Sequence, residues 1–150
     1  MRSNKWFLLT GLLAVFILNS SFSPTVTPGG TATLTVEVTN IKNKKGKVQI
    51  GLYNSYKKFP KVGKTLRMKR IKPTGKTLKY KFTGLSPGKY AIAIYHDENG
   101  DNKCNKNMIG VPTEAYAFSR NFRPKFSAPK FSDCSISLKK ARLISIKLVY

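Results

Sequence analysis

Behind residue 32, alternation of apolar and polar side chains at every second residue is the dominant pattern, and no stretch there shows a convincing helical period. That pattern constrains the fold most, because a strand turns successive side chains to opposite faces whereas a helix groups residues three and four apart. In residues 33–41 (TLTVEVTNI), Leu34, Val36 and Val38 share one face against Thr35, Glu37 and Thr39. Alternation resumes over 47–54 with Val48, Ile50 and Leu52, and NKKG at 43–46 predicts a turn that joins the two strands as a hairpin. A weaker strand is expected over 65–71, burying Leu66, Met68 and Ile71, and a clear one over 77–83, burying Leu78, Tyr80 and Phe82. The loop between them and the second strand, 55–64, contains Phe59, Pro60 and Gly63. The turn GLSPG at 84–88 leads into KYAIAIY at 89–95, the most strand-like segment, with Tyr90, Ile92 and Ile94 on one face and the small Ala91 and Ala93 on the other. Residues 135–138 and 143–150 complete the set. Short strands with turns about every ten residues predict an all-β fold, an antiparallel β-sandwich of about seven strands of immunoglobulin or prealbumin type. A small closed barrel is the alternative architecture.

The N-terminus stands outside that pattern. Arg2 and Lys5 precede an uncharged apolar run over 6–18 (WFLLTGLLAVFIL), and small polar residues follow at 19–23. This is the order of a secretory signal peptide. The run is short for a membrane span, which takes about 20 apolar residues. The expected organisation is a signal peptide over 1–23 cleaved near residues 21–23, a linker over 24–32, and one sandwich domain over 33–150, secreted or periplasmic.

The chain carries 28 lysines and arginines against six acids, a formal charge of +22, and losing the leader removes only two cations. Such a field attracts polyanions without specifying one. An exported chain is expected to meet anionic lipids, cell-wall polymers or acidic polysaccharides rather than nucleic acid. The lysines in LKYKF alternate with apolar residues, which equally describes a solvated sheet face on a monomer. The two cysteines, Cys104 and Cys134, would form a disulfide in an oxidising compartment, closing a loop worth roughly 3–4 kcal/mol in the chain-entropy model. Two free thiols are the alternative.

The acids are not scattered. Asp97, Glu98 and Asp101 fall within five residues, Glu114 and Asp133 follow, and only Glu37 lies elsewhere. Counting from Asp97, oxygen-bearing side chains occupy positions one, three and five (Asp97, Asn99, Asp101). The Lys103 carbonyl and Asn105 stand at seven and nine, the spacing with which a loop wraps calcium. Met108 sits where such a loop places its closing glutamate, so Glu114 would have to fold back to supply it. The competing reading is a metal-free turn, because Asp, Asn and Gly form turns without an ion and Lys103 and Lys106 offset the charge. Asn102, in the sharpest part of the loop, tolerates a left-handed backbone.

From residue 97 to 134 no period persists, yet structureless connections this long are uncommon inside a compact domain. The segment is rich in Met108, Ile109, Val111, Tyr116, Phe118, Phe122, Phe126 and Phe131, which predicts a long flap packed against the sandwich before its last strands. A Cys104–Cys134 bond would staple it. Arg120, Arg123, Lys125 and Lys130 interleave with the aromatics, a pattern that stacks sugars or bases when it is not simply packing. No catalytic constellation is assigned: His96 is the sole histidine, and the clustered carboxylates offer at most a hydrolase-like pair.

KFTGLSPGKYAIAIYHDENGDNK followed by NMIGVPTEAYAFSRN, then APKFSDC and a last strand ending LVY, resembles the domain-of-unknown-function family 2141 of secreted bacterial proteins. The likeness runs from about Leu34 to Tyr150 and is specific over 85–131. It implies a transthyretin- or immunoglobulin-like sandwich and export, and no activity. The chain departs from the family pattern at Asn102, Asn105, Ala115 and Ala117, where the pattern has glycine or an acid. Cys104 and Cys134 also stand where the pattern has no cysteine, a paired departure that favours a bond between them. The expected function is a non-enzymatic binding or structural module of the bacterial envelope with a calcium-stabilised loop. A cationic binder of acidic glycans or anionic lipids is the alternative, and a hydrolase the third.

Overall fold

The computed structural model describes residues 30–110, 112–125 and 127–150; the expected signal peptide over 1–23 and most of the expected linker lie outside them. Among the described residues eight strands are formed: β1 (Ala32–Thr39), β2 (Lys47–Tyr53), β3 (Arg67–Ile71), β4 (Leu78–Leu85), β5 (Gly88–Asp97), β6 (Tyr116–Phe118), β7 (Ile136–Leu138) and β8 (Arg142–Lys147). One short helix, α1 (Phe131–Cys134), precedes β7. A three-stranded sheet runs β4-β1-β8, and a five-stranded sheet runs β3-β2-β5-β6 with β7 also paired to β5. Their facing sides make the sandwich core from Leu34, Val36, Val38, Phe82 and Ile146 against Val48, Ile50, Leu52, Ile92, Ile94 and Leu138. These are the alternating positions that the sequence marks as apolar.

Pairing differs from the expectation in two respects. β1 and β2 do not form a hairpin, because β1 pairs with β4 and β8 while β2 pairs with β3 and β5. The 40–46 connection instead crosses between the sheets, starting from Asn40 with φ +63°. The pairing is also not wholly antiparallel, since β8 lies parallel to β1. Periodicity decides which face a residue takes; it carries no information about which neighbour a strand chooses. At the start of β5 the Tyr90 hydroxyl donates back to the Ser86 carbonyl at 2.7 Å, fixing the β4–β5 crossover in the manner of the tyrosine corner of sandwich folds.

β3 is an edge strand, and its expected apolar side is mostly outside: Leu66 and Met68 are exposed, and only Ile71 packs against the core. Its Arg67, Lys69 and Arg70 suit an edge, because charge discourages pairing with another sheet.

The outer face of the five-stranded sheet is covered as well. Every residue of β2 after Lys47 is buried, including Gln49, Gly51 and Tyr53 on the outward side. Outward-facing Ala91, Tyr95 and Asp97 of β5 are buried too. The cover is a third layer made of residues 54–66, 98–110 and 112–115, and 122–125 and 127–134. Its own small core joins Tyr53, Phe59, Ala91 and Cys134, with Phe118 and Phe131 against them. Phe59 is central, its ring meeting those of Tyr53, Phe118 and Phe131 edge-on at 5.2–6.0 Å. The expected flap therefore exists, with β6 and α1 inside it, and it seats on the outer sheet face.

Candidate functional site

The site is built from the C-terminal end of β5, where adjacent residues face opposite ways. His96 points into the sandwich and is fully buried; its Nε2 donates to the Lys45 carbonyl at 2.8 Å, holding the 43–46 turn. A carbonyl can only accept, so the proton is on Nε2, and Nδ1 faces the Tyr150 hydroxyl at 3.5 Å. Asp97 points outward and is buried beneath the loop that follows. One of its carboxylate oxygens accepts from the Gly100 amide at 2.8 Å and the other from the Asn102 amide at 3.0 Å. Gly100 and Asn102 both take positive φ, +79° and +63°, so asparagine fills a position suited to glycine.

The other proposed metal ligands serve the same loop. The Asn99 side chain accepts from the Asp101 amide at 3.1 Å, and Asp101 accepts from the Lys103 amide at 2.8 Å. Glu114 does fold back, as the calcium reading required, but to backbone: its oxygens accept from the Glu98 amide at 3.2 Å and the Asn105 amide at 3.3 Å. Lys103 is exposed and Asn105 half-buried. Asp97 lies under the loop while Asp101 is exposed on it. Among the described residues no three His, Cys, Asp or Glu side chains gather as a group that could hold a metal. The carboxylates close an eight-residue turn, Asp97 from below and Glu114 across its two ends. Asp133, the fifth clustered acid, is remote from this work and accepts from the Lys130 amide at 2.9 Å to start α1.

Burial pushes the Glu114 carboxyl above its ordinary range, its two amide donors oppose this, and the nearby Asp97 and Asp101 charges add to it. A carboxyl raised in the folded state binds a proton that the unfolded chain has already released. Its contribution is therefore present below the unfolded value, near 4.5, and is lost as pH rises through the folded value. Asp101, held low chiefly by the Lys103 amide, works in the opposite sense below 3.8. Urea midpoints of the protein and Glu114→Gln, compared at pH 4 and pH 6.5, are expected to show the protein losing ground to the variant at the higher pH. An advantage that grows with pH would overturn this assignment.

The ordered loop forms one wall of a cavity on the outer sheet face. Its volume is about 270 Å³. The floor comes from Gln49, Tyr53, Ala93 and Tyr95, the walls from Cys104, Tyr116, Phe118 and Pro129, and the mouth from Lys106, Ile109 and Lys125. Ala93 is the small residue of that floor; Gly51 beside it is already covered, since an added Cβ there would come within 2.9 Å of Thr65 and 3.1 Å of the Tyr53 ring. The side-chain oxygens of the floor are already bonded, the Tyr53 hydroxyl to the Lys61 carbonyl at 3.0 Å. The Arg70 Nε donates to Gln49 Oε1 at 2.8 Å, and the Tyr95 hydroxyl lies 3.1 Å from the same oxygen and 3.0 Å from the Asn102 carbonyl. Burial raises both phenols, Tyr53 to about 12. An adjoining open cleft of about 700 Å³ is lined by Lys61, Lys89, Lys130, Tyr56 and Phe131.

The expected disulfide is absent: Cys104 and Cys134 are free thiols. Cys104 lines the cavity near Tyr95, whereas Cys134 is packed beneath α1 against the Ala91 end of β5, so the two belong to different parts of the flap. Burial raises both, Cys134 to about 12, which keeps them protonated and poor nucleophiles. Cohesion comes instead from Ser119 at the end of β6, whose Oγ accepts from the Ile92 amide at 2.9 Å and bonds the Cys134 carbonyl.

Of the flap aromatics, Tyr116, Phe118 and Phe131 pack as expected, Phe122 is 36% exposed, and Phe126 lies outside the described residues. Met108 and Ile109, expected to pack, stand out in solvent at the tip of a turn. Sequence reasoning missed Gln49, Tyr53, Phe59 and Tyr95. A signal was present, since AIAIY is apolar on both faces, as in strands covered on both sides. Neither cavity is lined by a carboxylate among the described residues.

No curated protein and no solved structure matches the chain. The profile of DUF2141, described as an uncharacterised protein conserved in bacteria, matches residues 36–145, which takes in both sheets, the His96–Asp97 corner, the Glu114 clasp and the cavity. The chain belongs to that family.

Proposed function

We propose that the protein is an exported binding module of the bacterial envelope that holds a small ligand between the five-stranded sheet and the loops laid over it. The observation that carries this reading is the cavity: a sheet face covered by a flap, with Ala93 between larger residues on the floor and aromatic walls around it. Such a concave, mainly apolar site with few polar groups is the usual form of a ligand pocket. The carboxylates act on backbone amides, and neither thiol is activated, which favours binding over catalysis. The leader-like pattern over 1–23 supports export.

Indole provides a neutral test. The full chain with Trp6→Phe lacks tryptophan, so the ligand carries the only indole fluorescence. Saturable binding at one site per chain is expected, and Ala93→Leu, which fills the floor, is expected to abolish it. Binding that survives Ala93→Leu, or no saturable binding at all, would sink this reading.

A second reading rests on the open cleft, where three lysines and exposed Tyr56 favour an acidic glycan. Retention on a sulfated polysaccharide matrix is expected to fall to lower salt when Lys61, Lys89 and Lys130 are all changed to glutamine. If other lysine triplets shift elution equally, the general charge of the chain suffices and the cleft is not a site.

A further inference from the structure

We propose that the cavity on the outer face of the five-stranded sheet takes a small aromatic monocarboxylate, ring inward, with its carboxylate at Lys106 and Lys125. This rests on the cavity being a ligand site and adds the class and orientation of the ligand.

Volume sets the size. A cavity of about 150 Å³ accepts benzene, so one of about 270 Å³ holds a fused ring or a ring with a short side chain. The floor sets the orientation. Gln49 Oε1 already accepts from Arg70 and lies within bonding distance of the Tyr95 hydroxyl, and the Tyr53 hydroxyl donates to the Lys61 carbonyl, so these groups at the inner end make little polar demand on a ligand. Burying a polar head there would strip its water without replacing it. Aromatic and apolar walls from Tyr116, Phe118 and Ala93 instead receive a ring edge-on or stacked.

Charge sets the sign of the head. The described lining holds two cations and no carboxylate, and both lysines are exposed residues of the loops at the mouth. Ile109 lines the same mouth while 83% exposed, and a seated ligand would cover part of it. A ligand spanning floor to mouth therefore meets apolar surface first and positive charge last.

Indole-3-acetate and its neutral isostere indole-3-acetamide test the inference, read by ligand fluorescence on the full chain with Trp6→Phe. The acid is expected to bind about fivefold more tightly than the amide at low salt, as two exposed ion pairs allow. That advantage is expected to vanish near about 1 M salt, where charges are screened within a few ångströms. Lys106→Gln with Lys125→Gln is expected to bring the acid to the amide's affinity and leave the amide unchanged. Equal binding of acid and amide by the unsubstituted lysines would overturn the carboxylate while leaving the cavity as a site. If neither binds, or if both bind Ala93→Leu and Cys104→Phe as well as the starting protein, the cavity reading falls with it. The second variant fills the space from the loop side, so misfolding of the first would not mask the result; cooperative urea unfolding checks both.

Discussion

Replacing Asp97 with alanine is expected to lower the stability of the fold by about 2–4 kcal/mol, because hydrogen bonds to a charged acceptor contribute about 1.5–3 kcal/mol each and two amides lose theirs together. The carboxylate is buried and accepts from Gly100 and Asn102, so no water stands ready to replace it. Asp101→Ala, on the exposed side of the same loop, is expected to leave the midpoint close to that of the starting protein. Denaturant midpoints with unchanged slope measure both. The asymmetry separates the two accounts of the acid cluster. A turn closed by amides makes Asp97 far more important than Asp101 with or without calcium. A calcium loop makes both matter only when the ion is present, and millimolar calcium would then raise the Tm of the starting protein but of neither variant. That second pattern would return the loop to the metal reading.

Gly46→Ala is expected to be at least as damaging, about 3–5 kcal/mol. Gly46 holds φ +55°, and a Cβ there would stand 1.7 Å from the Asp97 carbonyl oxygen and 2.8 Å from the Glu98 Cα. Those atoms are backbone at the end of a central strand, so neither neighbour has a rotamer to give. Any relief must pull the 43–46 turn off β5, which also parts Lys45 from His96. Gly75→Ala is the control, since an added Cβ there meets nothing within 4 Å and the expected change is within about 0.5 kcal/mol. A Gly46→Ala protein with the same midpoint as the Gly75 control would show that the turn does not press on β5 in this way.

Both substitutions act at His96–Asp97, the centre of the family's motif, and both act through backbone. The HDENGD signature therefore reads as a device of folding: His96 secures the incoming turn on one face of β5 while Asp97 shapes the outgoing loop on the other. Glu114 belongs to the same device. Its role was half legible, because the sequence pointed to a carboxylate that folds back and gave no means of telling whether an ion or two amides would receive it.

Local chemistry was readable from the residues. Leu34, Val36, Val38, Ile50, Ile92 and Ile146 are buried where period two places them, and Asn102 takes the left-handed backbone expected of it. These follow from what each residue does to its own few bonds. The sequence by itself determined the strands other than β6, their inward faces except that of β3, the turn at 98–105 and the presence of a flap. Tertiary structure alone decided that β1 and β2 lie in different sheets, that β8 runs parallel to β1, that Cys104 and Cys134 remain apart, and that Phe59 anchors a third layer. Each of those depends on which surfaces meet, and that is fixed by the summed burial of distant residues rather than by any residue's neighbours along the chain. The cavity arises in the same way, between Ala93 and Tyr95 of β5 and the loops laid over them.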